Sequence, residues 1–151
     1  MGQNRECDFS AIATKYGVKC TDGLTIDTGA FQHMDGVAVP LVYQHNHSDI
    51  KNLLGHVVLH SMDDGVRLYA YCDDTEPGRQ ALGSVRNGTI KAVSIYANNL
   101  RKDPSRRFVQ HGDIKEVSLV LSGANPGAMI DYVSIAHSDG TVELDEEEAI
   151  V

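Results

Sequence analysis

The sequence predicts a mainly β fold with a few helical additions, an antiparallel β-barrel of about six to eight short strands. Three observations carry this. Short apolar or alternating segments recur at regular spacing, turn-forming Gly, Asn and Pro residues divide them, and one segment alone carries a full set of helix signals.

The segment 9–19 mixes apolar and polar residues as a strand does, and Thr21-Asp22-Gly23 reads as a turn. Residues 37–45 (VAVPLVYQH) form a strand with Pro40 near its start, and the polar stretch after it is a loop. The segments 54–60 (LGHVVLH) and 66–72 (VRLYAYC), separated by Asp63-Asp64-Gly65, make the clearest hairpin. Thr75 near a cap, Pro77 in the first turn, the stripe Ala81, Leu82, Val85 and the stop Asn87-Gly88 mark a helix. Strands follow at 89–97 (TIKAVSIYA) and 114–122 (IKEVSLVLS), with a short one at 108–110. After the turn Gly123-Ala124-Asn125-Pro126-Gly127, residues 129–136 give a last strand.

A chain of 151 residues holds one domain with a core of its own. The formal net charge of -8 argues against nucleic acid as a main partner, because phosphate binding needs clustered Lys and Arg. Glu143, Asp145, Glu146, Glu147 and Glu148 crowd the stretch 138–151, which reads as a solvated acidic tail behind a domain over 1–137. Three cysteines without a CxxC pair fit neither a disulfide framework nor a Cys-type zinc site, and suggest a reducing compartment. The first ten residues lack the apolar core of a signal peptide, Glu6 breaks a myristoylation pattern, and no apolar run approaches membrane-spanning length. The expectation is a soluble cytoplasmic protein with no membrane partner.

Several residues could carry chemistry. Of seven histidines, His45 ends a predicted strand, on the face of Leu41 and Tyr43, at a rim where a catalytic base could be held rigidly. A plain strand-end hydrogen bond explains its position equally well. Ser94 lies in the row Ile90, Ala92, Ser94, Tyr96, where a buried hydroxyl needs a partner; the partner is either backbone or an imidazole. No GxSxG elbow surrounds it. Glu116 shares a strand face with Ile114, Ser118 and Val120 and is either solvated outside or buried and paired, as the acid of a Ser-His-acid triad is. The turn Ser122 to Ala128 consists of small residues that can bring backbone N–H groups to a ligand, or simply connect two strands.

The order VPLVYQH (39–45), NLLGHV (52–57), IKAVSIYA (90–97) and IKEVSLVLSGANPGA (114–128), led by DGLTIDTGAF (22–31), resembles the tailed-phage prohead proteases over roughly residues 9–136. That resemblance implies His45 as catalytic base, Gly55 in the strand after it, Ser94 as nucleophile and Glu116 to Ala128 as the closing strand and loop. The family is similar in fold to the herpesvirus assemblins, which use a Ser-His-His triad. By that likeness Glu116 takes the third place, with Asp113 or His111 as substitutes, and Gly123, Ala124 and Asn125 take the oxyanion loop. Arginines of the herpesvirus loop are missing here, so backbone N–H groups or the Asn125 side chain would have to serve. The resemblance further implies a serine endopeptidase without metal or cofactor. It would act on major capsid protein, its scaffolding segment and itself, inside the procapsid in the host cytoplasm, as a possible homodimer or higher oligomer.

Three other readings compete. A cupin-like metal-binding barrel would use His45 and His47 with His56, His60 or His111. A non-catalytic virion protein would carry the same barrel with an idle site. A Cys72 nucleophile is disfavoured by Asp73 and Asp74, since neighbouring carboxylates raise a thiol's pKa.

Overall fold

A computed structural model describes residues 6–46 and 48–134. Among the described residues eight strands are present: β1 Phe9–Lys15, β2 Thr25–Ile26, β3 Ala38–Tyr43, β4 Leu53–Met62, β5 Gly65–Cys72, β6 Ala92–Lys102, β7 Phe108–Val120 and β8 Ile130–Val133. The helix α1 spans Glu76–Arg86, and Gln32–Met34 and Ile50–Asn52 form single 3₁₀ turns.

The hairpin β4–β5 forms as the alternation predicts, paired from Gly55 with Cys72 to Met62 with Gly65. Helix α1 also obeys its signals. Thr75 Oγ1 accepts the Gly78 N–H at 3.2 Å, Asn87 caps the C-terminus, and Gly78, Ala81 and Val85 form the buried face. Several predicted strand limits change, and of the last strand, 129–136, β8 keeps Ile130–Val133 while residues 135–136 lie outside the described residues. Residues 9–19 shorten to β1, and 89–97 shifts to β6, which runs on to Lys102. The two segments 108–110 and 114–122 are one continuous β7, because His111-Gly112-Asp113 continues the ladder with β6 despite its polar composition. β3 stops at Tyr43, two residues short of His45.

The ladder runs β2-β7-β3-β4-β5-β1-β8, with β6 on β7. Two features depart from the expected antiparallel barrel. β2 and β3 both lie parallel to β7, at its start and its end respectively. Parallel neighbours need a long crossover, here the stretch from β4 to β6, and no local turn signal announces such a pair. The ladder also does not close into a barrel. One isolated bridge, Ala92 with Met129, and the Ile130 N–H bond to Lys91 O (2.9 Å) hold the segment before the short β8 against the start of β6.

The core gathers Phe9, Leu41, Val57, Leu59, Leu68, Val117 and Leu119 among others. Each such Val, Leu or Phe contributes ~1.5–3 kcal/mol by leaving water. Over its last five residues β7 is buried on both faces: Val117 and Leu119 join this core, while the other face carries Glu116 and Ser118. Among the described residues no helix is long and apolar enough to cross a membrane. The acidic stretch 138–151 lies outside the described residues.

Candidate active site

The site is built on three neighbouring strands, β3, β7 and β6. Ser118 of β7 pairs with Val42 of β3 on one side and with Ser94 of β6 on the other. In an antiparallel pair, directly opposite residues share a face with Cβ atoms about 4.5–5.5 Å apart. Ser94 and Ser118 are therefore neighbours on one face, and Glu116, two residues before Ser118, lies on it too.

His45 reaches this face from the turn that follows β3. Gln44 and His45 take left-handed backbone conformations, φ 53° and 57°. That region costs a non-glycine residue about 1–2 kcal/mol. Specific bonds offset the cost: the Gln44 N–H donates to Leu119 O at 3.1 Å, the Asn46 N–H to Tyr43 O at 3.0 Å, and the His45 N–H to Ser118 Oγ at 2.8 Å. The expected strand-end histidine is thus a turn histidine, aimed by backbone strain that β7 holds in place.

Glu116 is 2 % exposed, which resolves the two readings of this residue in favour of the buried one. Its Oε1 lies 3.0 Å from His45 Nδ1. Ser118 Oγ donates to the same carboxylate at 3.2 Å and lies 3.1 Å from Nδ1. An ionised carboxylate only accepts, so this contact sets the imidazole proton on Nδ1 and leaves the Nε2 lone pair for chemistry. The His45 side chain remains 38 % exposed, so the ring bridges a buried carboxylate and the surface. A carboxylate this deeply buried is tolerated only with such partners.

Ser94 is buried at 7 % exposure and lines, with Tyr96, Ala124 and Asn125, a cavity of about 210 Å³. The Gly123 loop backs directly onto this strand: a Cβ on Gly123 would sit 2.5 Å from Val93 O, next to Ser94, so only glycine allows the approach. The Asn125 side chain is already committed. Its Nδ2 donates to Thr14 Oγ1 (3.0 Å) and Lys15 O (2.8 Å), and its Oδ1 accepts the Gly127 N–H (2.9 Å). Asn125 therefore pins the loop to β1 with both its amide hydrogens, so its side chain has no N–H left to offer an anion.

The other candidates lie elsewhere. Asp113 bonds Asn99 Nδ2 (2.8 Å) and His33 Nε2 (2.8 Å), which hold its carboxyl below the usual carboxylate range, and His111 stacks on His33. His56 stacks on Tyr71, and His60 meets Tyr69 edge to face. The set proposed for a cupin-like metal site is not gathered among the described residues, and His47 lies outside them. Cys72 is buried at the end of β5. Ser118 is the residue that sequence reasoning left without a role; the i, i+2 spacing to Glu116 was its signal.

Comparison with known families gives a match over residues 3–142 to the model of the caudovirus prohead serine proteases. Among solved structures, a KSHV protease in complex with a hexapeptide phosphonate inhibitor is similar, with a TM-score of 0.58 at 13% identity, over 93% of this chain and 66% of that one. At that identity the likeness is one of fold. The chain thus spans just under two thirds of the length of that protease. No curated protein matches.

Proposed function

Because the chain belongs to the caudovirus prohead serine proteases, we propose that Ser94 is its nucleophile, His45 its general base and Glu116 the acid that orients the base. The observation that carries this reading is the buried Glu116 carboxylate 3.0 Å from His45 Nδ1, on the sheet face that Ser94 shares. His45 Nε2 takes the proton of Ser94 Oγ as the oxygen attacks a peptide carbonyl. Glu116 offsets the charge that develops on the imidazolium, and backbone N–H groups of Gly123 to Asn125 receive the oxyanion. The imidazolium then gives its proton to the leaving amine, and water releases the acyl group by the same path in reverse. No step needs a metal or a cofactor.

The substrate of this reading is capsid protein, chiefly its scaffolding segment, together with the protease itself, cut inside the procapsid. The test is co-expression with a capsid–scaffold protein, wild type beside Ser94→Ala and His45→Ala, read by intact mass. Cleavage by wild type alone is expected. Equal cleavage by all three, with circular dichroism showing each folded, would overturn the assignment.

A further inference from the structure

A second cluster stands apart from the Ser94 face and does not depend on the reading given to it. His111 and Asp113 occupy alternate positions of β7 and so share one face of the strand. His33 comes to them from the 3₁₀ turn Gln32–Met34. Gly112 between them is closely packed: a Cβ there would sit 2.7 Å from Leu100 Cδ2 and 3.0 Å from Phe31 Cε1, side-chain atoms that would have to shift. The His33 and His111 rings stack with centroids 4.3 Å apart and planes within 11°. Both Nε2 atoms face the same oxygen, Asp113 Oδ1, at 2.8 Å and 3.9 Å. The other carboxylate oxygen is held by Asn99 Nδ2 at 2.8 Å, from the irregular stretch of β6 where Asn99 takes φ 53°.

We propose that His33, His111 and Asp113 bind one borderline divalent cation of the zinc type through two imidazole nitrogens and a carboxylate oxygen. The three donor atoms lie within 4.8 Å of one another. Bonds of about 2.0–2.2 Å to zinc place tetrahedral donors roughly 3.3 Å apart, so binding one ion requires the two rings to turn out of their stack until both Nε2 lone pairs point at it. Two nitrogens and an oxygen suit zinc, cobalt(II) or nickel(II) better than calcium or magnesium, which prefer all-oxygen sets. The Asn99 bond is the outer support that ligating carboxylates commonly have. With each donor residue about one third exposed, the fourth position is open to water. The ion would tie the turn before β3 to the middle of β7, three residues from Glu116 and so about 10 Å along the strand.

The test uses the full chain: zinc titration by calorimetry, cobalt(II) visible absorption, and thermal melts with and without zinc. One equivalent should bind and raise Tm. His33→Ala, His111→Ala and Asp113→Asn should each weaken binding at least tenfold, and Asn99→Ala about tenfold or more. His45→Ala and His60→Ala should leave it unchanged. Circular dichroism of the metal-free variants shows whether each is folded, and His111→Gln replaces His111→Ala if the latter is not. Absence of binding to wild type would overturn the proposal. So would binding that survives His33→Ala and Asp113→Asn, or that disappears with His45→Ala.

Discussion

His45 Nδ1 and Glu116 Oε1 meet at 3.0 Å across two strands, the histidine on a left-handed turn and the glutamate buried in β7. The parallel pairing of β3 with β7 brings them together, since Tyr43 lies beside Leu119 and the chain then folds back over Ser118 and Glu116. The ladder fixes the carboxylate and the carboxylate fixes the tautomer, which under the proposed reading leaves Nε2 to take a proton.

Glu116→Gln tests that coupling. A Gln keeps the shape and loses the negative charge, and its amide can hold the wrong imidazole tautomer. In the Ser-His-Asp case the equivalent change lowers kcat about 10⁴-fold. A fall in kcat of at least about 10²-fold is expected here, with KM little changed, measured on a peptide spanning a mapped cleavage site. Activity within a few-fold of wild type would remove Glu116 from the mechanism.

Ser118→Ala separates positioning from chemistry. It removes the acceptor of the His45 N–H and a donor to Glu116. One such bond is worth about 0.5–1.5 kcal/mol, and a buried group left unpaired costs about 1–3 kcal/mol. A lower Tm and a lower kcat are expected together, because the strained turn at His45 loses its tether. Ser118→Thr, which keeps a hydroxyl, should recover part of kcat; equal loss in both variants would indicate packing alone.

The strands of the hairpin and the signals of α1 were legible in the sequence because local periodicity and capping decide them. Gly55 illustrates a readable constraint with a structural cause: a Cβ there would meet Tyr71 O at 2.1 Å. The turn at His45 was not legible, since nothing in YQH marks two residues with positive φ that are held by a strand more than seventy positions away. Nor was burial of Glu116, for its alternation with Val117 and Leu119 suits a solvated face equally well. The family resemblance implies one site for Ser94, His45 and Glu116, whereas periodicity alone leaves each with a plain alternative. The meeting of His33 with His111 and Asp113 was not legible either, because no local signal aims the 3₁₀ turn Gln32–Met34 at β7.

Gly123→Ala probes the loop beside Ser94. The added methyl collides with Val93 O, a backbone atom at the start of β6 whose strand is held by the ladder with β7, so the loop must move rather than the strand. Losing one oxyanion donor costs about 2.7–4 kcal/mol of transition-state stabilisation, on the order of 10²–10³ in kcat. That fall is expected while binding of uncleaved substrate, measured in a Ser94→Ala background, stays within a few-fold. Full activity in a folded Gly123→Ala protein would exclude the loop from the reaction.

Alkaline stability follows from Tyr16 and Cys20. Burial pushes both the Tyr16 phenol and the Cys20 thiol above their usual values, with Asp22 adding to the shift at Cys20. Each is an acid whose neutral form the fold prefers, so the native state retains protons that the unfolded chain loses. Their contributions are complete below the unfolded values, about 8.5 for Cys and 10 for Tyr, and disappear as pH rises through the folded ones. Denaturant midpoints should therefore hold between pH 7 and 8 and fall above about 9, and Cys20→Ser with Tyr16→Phe should flatten that fall. An equally steep fall in the double variant would place the alkaline sensitivity in other groups.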